Sequence, residues 1–112
     1  MNNEIIEKSL MMMKDNALRE LSNKIAQIYL YGSCARGDYD DNSDIDVLIV
    51  VDCAENQLAQ YTDKLLDISA QISLDNDVVL SVQTSAKNEW LKNQTLSLYY
   101  KNILQEGKVY YG

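Results

Sequence analysis

The sequence of 112 residues contains no histidine. This absence excludes every mechanism that uses an imidazole as a general base, and it excludes zinc sites of the Cys/His type. Cysteine is also scarce: Cys34 and Cys53 are the only two, and they lie far apart in the sequence. We expect both to be reduced thiols, as in a cytosolic protein, rather than a structural disulfide.

Positively charged residues are also few. Ten lysines and arginines stand against 17 aspartates and glutamates, so the formal net charge is −7. This balance argues against direct binding to nucleic acid or to an anionic membrane, because both need cationic side chains. No apolar run approaches the roughly 20 residues that span a bilayer, and the N-terminus lacks the pattern of a signal peptide. We therefore expect a cytoplasmic protein whose partners are metal cations or a basic protein.

The hydrophobic periodicity predicts a mixture of helices and strands in one domain over 1–112. The predicted order is helix, strand, strand, helix, strand, helix, helix, and such even mixing is typical of an α/β or α+β layer. We expect a small mixed β-sheet backed by helices. The predicted helices are 3–23, 58–72, 85–91 and 93–105, and the predicted strands are 26–32, 44–52 and 77–84.

Several boundaries of these elements follow from capping and turn residues. Asp52 and Glu55 form a plausible cap before the helix at 58–72, and the segment "SLDND" reads as a turn after it. Ser85 is expected to cap the next helix, and the last helix is expected to stop at Gly107, a natural residue for the position after a helix. The closing "KVYYG" is predicted to be short and extended, or a tail.

Asp44 and Asp46 stand two residues apart at the start of the second predicted strand. Both side chains point to one face, with Cβ atoms roughly 6 to 7 Å apart. Without a cation these carboxylates repel each other, whereas Mg²⁺ is bound readily by one or two carboxylates together with substrate phosphates. The alternative for such a pair is a solvated, frayed strand end.

Gly32 and Ser33 directly follow the first predicted strand. Glycine permits a sharp turn, and the Ser33 hydroxyl and nearby backbone N–H groups can bind a phosphate. Arg36 can add a charged donor, or it can simply form a surface ion pair with a neighbouring aspartate. If the two strands are neighbours, the Gly-Ser turn and the acid pair meet at one edge and can together hold a nucleoside triphosphate with magnesium.

The stretch "GSCARGDYDDNSDIDVLIV" closely resembles the signature of the DNA polymerase beta-like nucleotidyltransferase superfamily. The matching positions are Gly32, Ser33, Arg36, Gly37, Ser43, Asp44 and Asp46. The size of the chain resembles the minimal nucleotidyltransferases, including the MntA-like antitoxins that are paired with HEPN-type ribonuclease toxins. This resemblance implies a small mixed sheet backed by helices.

The resemblance also implies a function and a set of site residues. It implies transfer of AMP from ATP to an acceptor hydroxyl, a tyrosine of the partner toxin in the antitoxin members, by a two-metal magnesium site. Gly32, Ser33, Arg36 and Ser43 would bind the nucleotide, and Asp44 and Asp46 would hold the metal. The toxin and its antitoxin would form a hetero-oligomer, and a homo-oligomer is also open.

A third carboxylate is usual in this family, on the strand that follows the second helix. Asp77 is the natural candidate for this catalytic and metal-binding position, and Asp75 is a weaker one. However, an alignment anchored on "SAKNEW" places Val79 there instead. Two alternatives to an active adenylyltransferase therefore stay open: an antitoxin that neutralises its partner by binding alone, and a subunit of a small-molecule nucleotidyltransferase of the aminoglycoside-modifying kind. The identity of the NTP and of the acceptor is open too, with ATP the family default.

Overall fold

A computed structural model describes all 112 residues. Its strands form one four-stranded mixed sheet in the order β3-β2-β1-β4. Strand β2 lies in the middle, parallel to β3 and antiparallel to β1, and β4 pairs antiparallel with the other side of β1. The strands are β1 (Ile25–Tyr31), β2 (Ile45–Val51), β3 (Leu80–Ala86) and β4 (Lys108–Tyr111).

Five α-helices cover the two faces of this sheet. They are α1 (Asn3–Leu21), α2 (Ser33–Arg36), α3 (Leu58–Asn76), α4 (Lys87–Asn93) and α5 (Leu98–Glu106), and short 3₁₀ turns occupy Ser22–Lys24 and Glu55–Gln57. Helices α1 and α3 pack on one face, and α4 and α5 pack on the other. The predicted α/β class with a small mixed sheet backed by helices is confirmed. No helix combines the length and the apolar character needed to cross a membrane.

The main core lies between the sheet and helices α1 and α3. Strand β2 contributes alternate residues to it, and the apolar stripe of α1 faces them. Complete burial of each such aliphatic side chain contributes about 1.5–3 kcal/mol. The buried residues of α1 and β2 in this core are Ile6, Leu10, Met13, Ala17, Leu21, Ile45, Val47, Ile49 and Val51.

A smaller core covers the other face of the sheet. Trp90 of α4 is fully buried there, with its ring centroid 5.2 Å from that of Tyr29 and 5.0 Å from that of Tyr100. Leu48 and Val50 of β2 complete this core together with Ile103 of α5. Strand β2 is therefore apolar on both faces, as central covered strands are, and Asp46 is the one acid within it.

Several predicted boundaries are wrong. The first four residues of "SLDND" are helical and not a turn, because α3 continues to Asn76. Strand β3 begins at Leu80, three residues later than the predicted start at residue 77. Ser85 does not cap a helix: it lies in β3, buried, with its hydroxyl 3.2 Å from that of Tyr100. No side-chain hydrogen bond caps the start of α3 either, so the expected cap at Asp52 and Glu55 is absent.

The C-terminal segment agrees with the expectation: α5 stops just before Gly107, and the residues after it are short and extended. Gly107 follows α5 with extended angles (φ −75°, ψ 160°) rather than left-handed ones. The chain therefore turns straight into a strand, and "KVYY" pairs with β1 as β4. The tyrosines at this end serve mainly as packing: Tyr110 and Tyr111 lie half-buried against the main core, and Tyr100 lies against Trp90.

Candidate active site at the edge between strands β1 and β2

The end of β1 and the start of β2 lie side by side. In the antiparallel register, Tyr31 is the partner of Asp46. The Gly-Ser turn that follows Tyr31 and the acid pair at the start of β2 are therefore at the same edge of the sheet. The segment between them, residues 37–44, loops out and returns to this edge.

Gly32 makes the closest approach of the turn to the acids. Its angles (φ 73°, ψ −157°) lie in a region that is essentially restricted to glycine. A Cβ atom built on Gly32 would overlap the carboxylate of Asp46. Glycine is therefore required twice at this position, once by the backbone conformation and once by the direct packing of the turn against Asp46.

The short helix α2 fixes the turn relative to the acids. Ser33 is its first residue, and the amides of Ala35 and Arg36 both donate to the Gly32 carbonyl, so only the amides of Ser33 and Cys34 stand before the first hydrogen bond of the helix. Cys34 and Ala35 are buried in the main core, which anchors α2. The Cys34 thiol also donates a hydrogen bond to the backbone oxygen of Asp44, with 3.5 Å between Sγ and O. The turn and the start of β2 are thus held together by a direct contact.

Asp44 and Asp46 form a carboxylate pair of unequal exposure: Asp44 is exposed and Asp46 is half-buried. Burial raises the pKa of the Asp46 carboxyl above its ordinary value, the negative charge of Asp44 raises it further, and Arg36 opposes both effects. A divalent cation would relieve this repulsion. Two oxygen-donor carboxylates beside an open turn fit Mg²⁺, which prefers hard oxygen ligands and retains positions for substrate phosphates.

Arg36 is engaged with two acids of its own chain. Its Nε lies 3.3 Å from Asp38 Oδ2, and its Nη1 lies 3.2 Å from Glu106 Oε2. The hydrogen bond with Asp38, followed by that residue's charge and then by Glu106, raises the pKa of Arg36. All three side chains are largely exposed, so a phosphate can compete for the guanidinium. The pair with Glu106 links α2 to the end of α5.

Ser43 orders the loop before the acids. Its hydroxyl accepts a hydrogen bond from the Asp40 amide at 3.0 Å, and lies 3.3 Å from Asp40 Oδ1. Its own amide bonds to the Asp40 carbonyl. These contacts close a turn immediately before Asp44. The structure thus shows Ser43 shaping the loop, and its predicted contact with the nucleotide stays a prediction.

Asp77 does not form a three-ligand metal group with Asp44 and Asp46. It is exposed and forms the left-handed C-cap of α3 (φ 54°, ψ 48°). Because Asp77 is not part of a strand, the alternation of side chains along a strand does not place it on the same face as Val79. It lines a cavity of about 540 Å³ with Met1, Asp41, Ser43 and others. Asp75 stays on α3, accepting a hydrogen bond from Gln71. The structure contains no group of three acidic or cysteine side chains placed to hold one metal ion.

The strand next to the acid pair carries neutral residues at the neighbouring positions. Ser81 is the β3 partner of Asp46, and the carbonyl of Val79 accepts a hydrogen bond from the Ile45 amide at 2.8 Å. Leu80 and Val82 face the main core, so alternation places Val79 and Ser81 on the face of Asp44 and Asp46. Val79 is 57% exposed.

Tyr31 is a neighbour of the site that the sequence did not single out. It is half-buried opposite Asp46, and burial, a hydrogen bond with Tyr99 and the charge of Asp46 all raise the pKa of its phenol. Its position directly before Gly32 was the only feature of the sequence that could have indicated a place near the site. Glu106, the partner of Arg36, lies 70 positions away from it in sequence, and no sequence feature indicated their contact.

Comparison with known proteins places this fold and this motif in one family. The model of the nucleotidyltransferase domain matches residues 12–111. The Methanocaldococcus jannaschii protein provisionally named protein adenylyltransferase MJ0604 is 32% identical over 108 residues, which cover 89% of this chain and 100% of that relative. A second protein of that organism, MJ0141 with the same provisional name, is 41% identical over 61 residues, covering 54% of this chain and 60% of its own.

Solved structures share the fold at lower identity. A mutant of the toxin-antitoxin MntA-HpeT aligns with 100% of this chain and 73% of its own, at 20% identity and a TM-score of 0.56. A toxin-antitoxin structure with AMP-PNP aligns with 89% of this chain and 71% of its own, at 21% identity and the same TM-score. With the family model matching nearly the whole chain, the protein belongs to the nucleotidyltransferase domain family.

Proposed function

We propose that this chain transfers AMP from ATP to a tyrosine hydroxyl of a partner protein, a HEPN-type ribonuclease toxin, and thereby acts as its antitoxin. The observation that carries the proposal is the packing of the Gly32 turn directly against the Asp46 carboxylate. This contact brings a phosphate-binding turn and a carboxylate pair to one sheet edge, which is the arrangement that a magnesium-bound triphosphate needs.

Each residue of the edge has a role in this proposal. The Ser33 hydroxyl and the backbone amides at the very start of α2, those of Ser33 and Cys34, would bind the terminal phosphates, with Arg36 adding a charged donor. Asp44 and Asp46 would hold Mg²⁺, whose positive charge neutralises the phosphates and stabilises the charge that develops in the transition state. The acceptor hydroxyl attacks the α-phosphorus in line with the leaving pyrophosphate. Because the chain has no histidine, carboxylates are the bases available here.

Three features of the chain support a protein acceptor. Both faces of the sheet are covered by helices, so these helices serve the core and do not form an acceptor-binding lobe. Leu96, shortly before α5, and Leu98, its first residue, are each 74% exposed and offer an apolar contact surface. The net charge of −7 favours a basic partner. The relative provisionally named as a protein adenylyltransferase and the solved toxin-antitoxin structures of similar fold support the same proposal.

The test is transfer to a partner, measured by mass spectrometry. The chain is incubated with ATP, Mg²⁺ and the HEPN-type protein encoded by the adjacent gene, and we expect the partner to gain one or more AMP units on a tyrosine. Asp46→Asn should abolish the gain. Asp52→Asn makes the same chemical change at the opposite, exposed end of β2 and should retain it. Transfer that survives Asp46→Asn would contradict the proposal.

A second candidate function is neutralisation of the partner by binding alone. The absence of a third carboxylate beside Asp44 and Asp46 favours it, because metal sites with fewer acidic ligands bind more weakly. In that case the chain inhibits the partner without any gain in the partner's mass. The Asp46→Asn variant then inhibits the partner to the same extent as the original chain does. Partner-independent transfer to a small alcohol such as an aminoglycoside would instead indicate a small-molecule nucleotidyltransferase.

A further inference from the structure

Helix α5 brings a second tyrosine hydroxyl to the edge of the candidate site. Tyr99, in its first turn, reaches back to Tyr31, and the two phenolic oxygens lie 2.8 Å apart. Their rings pack edge to face, with centroids 6.0 Å apart. Tyr31 is the residue that precedes Gly32 and stands opposite Asp46. Tyr99 is therefore joined by one hydrogen bond to the residue that flanks both halves of the site.

Tyr99 differs from the other tyrosines of the chain in what its hydroxyl can reach. Tyr29 is buried, and the Tyr100 hydroxyl is directed to Ser85 in the small core. The Tyr39 hydroxyl donates to Asn3 at the N-terminus of α1. Tyr99 is 46% exposed and lies on the side of Asp46, so a nucleotide in the site and the Tyr99 hydroxyl share one open surface.

The position of Tyr99 is fixed by aromatic packing at the start of its helix, and an exposed ion pair lies at the other end. At the start of α5, the Tyr99 ring packs on that of Tyr100, with centroids 5.7 Å apart, and Tyr100 packs on Trp90. At the end of α5, Glu106 pairs with Arg36 of α2. A nucleophile that is held in place beside a site reacts far faster than one that must diffuse to it.

We propose that Tyr99 is an acceptor within its own chain, so that the site transfers AMP to Tyr99 when no partner is docked. This inference rests on the nucleotidyl transfer of the proposed function. The Tyr99 Oη attacks the α-phosphorus of ATP, and an Oη–Pα bond forms as the bond from Pα to the bridging oxygen of the β-phosphate breaks. Pyrophosphate leaves with that electron pair, and the phenolic proton passes to solvent. Tyr31 orients the acceptor through the hydrogen bond between the two phenolic hydroxyls.

The modification is self-limiting. An adenylylated Tyr99 carries a phosphodiester and an adenosine at the rim of the site, where they occupy the space of the next nucleotide. Each chain therefore accepts one AMP. A partner that docks on this rim displaces or covers Tyr99 and receives the AMP instead.

The experiment uses the chain alone with ATP and Mg²⁺, followed by intact mass measurement and peptide mapping. We expect one AMP per chain, located on Tyr99. Tyr99→Phe keeps the ring contacts with Tyr31 and Tyr100 and should abolish the label, whereas Tyr100→Phe should retain it. Tyr31→Phe should slow labelling of Tyr99 roughly five-fold, the change that one lost hydrogen bond produces. The rate per chain should not change on dilution.

Calorimetric titration with AMP-PNP and Mg²⁺ separates the possible failures. If the chain binds AMP-PNP but no label forms, or if the label is on another residue, the inference is overturned while the proposed function stands. If AMP-PNP does not bind, both fall. A rate per chain that decreases on dilution would show transfer between molecules and would overturn transfer within the chain.

Discussion

The substitution Gly32→Ala tests the arrangement on which the candidate site depends. At this position, φ is 73° and a Cβ atom would overlap the Asp46 carboxylate. A non-glycine residue in such a conformation costs about 1–3 kcal/mol, and forcing an atom into an occupied position costs about as much again. We expect a loss of about 3 kcal/mol in the free energy of unfolding, which corresponds to a melting temperature lower by about 12 °C in a domain of this size.

Gly37→Ala is the matched control. Gly37 also has a positive φ, 89°, but a Cβ atom there would meet nothing within 4 Å. Only the backbone conformation is strained, so we expect a loss of about 1 kcal/mol, or about 4 °C. Differential scanning calorimetry of the two variants measures the difference. Equal losses would refute the direct packing of the turn against Asp46.

A double-mutant cycle isolates the contact itself. Asp46→Ala removes the carboxylate that the new methyl group would strike, so Gly32→Ala should cost less in that background. We expect a coupling free energy of about 1 kcal/mol or more, which is typical of residues in contact. Additive losses, with no coupling between the two positions, would contradict the structure of this edge.

Three further predictions concern the charges and the core. The pKa of Asp46 is higher in the folded state than in the unfolded state. The charged carboxylate therefore destabilises the fold when the pH is above the folded-state pKa, and this penalty is absent when the pH is below the unfolded-state pKa. Asp46→Asn should therefore raise the melting temperature at neutral pH, and the gain should vanish as the pH falls through the acidic range; a gain that persists at low pH contradicts this. Arg36→Gln should change the melting temperature little but weaken calorimetric binding of AMP-PNP; unchanged affinity contradicts a phosphate contact. Ile49→Ala, at a fully buried position of β2, should cost about 2–5 kcal/mol in denaturant unfolding, whereas Val79→Ala should stay within about 0.5 kcal/mol; similar costs would contradict the burial assigned to them.

Val79→Asp addresses the missing third carboxylate. The substitution adds an acid at the exposed residue directly before β3, whose carbonyl bonds to the Ile45 amide between Asp44 and Asp46. Affinity for Mg²⁺ should therefore increase, because a third oxygen ligand becomes available. Val79→Asn is the neutral control and should not increase it. The measurement is calorimetric titration with Mg²⁺ alone. An unchanged affinity in Val79→Asp would show that this position does not face the metal site.

The sequence predicted the elements that carry strong local signals. Three elements are visible in the spacing of the apolar residues, and the structure contains all of them: helix α1, the strand before Gly32 and the strand that contains Asp46. The meeting of the turn and the acids followed from one further assumption, that β1 and β2 are neighbours. The family membership predicted from the same short motif agrees with the comparisons.

The details that were missed depend on contacts between residues distant in sequence. Ser85 looks like a helix cap, but its hydroxyl lies against Tyr100 instead, and the chain stays extended to Ala86. "SLDND" looks like a turn, yet helix α3 continues through it and Asn76 donates a hydrogen bond to Ser9 of α1. Asp77 then ends the helix in a left-handed conformation. Its spacing of two residues from Val79 would place both side chains on one face only within a strand, so this spacing does not predict where Asp77 points.

Calorimetric titration of the chain with AMP-PNP, with and without Mg²⁺, tests the central claim most directly, namely that the Gly32 turn and the carboxylates of Asp44 and Asp46 form one nucleotide site. We predict saturable binding that requires Mg²⁺ and is lost in Asp46→Asn, while Asp52→Asn binds like the original chain. Binding that is independent of Mg²⁺ and equal in both variants, or no binding by the original chain, would contradict the claim.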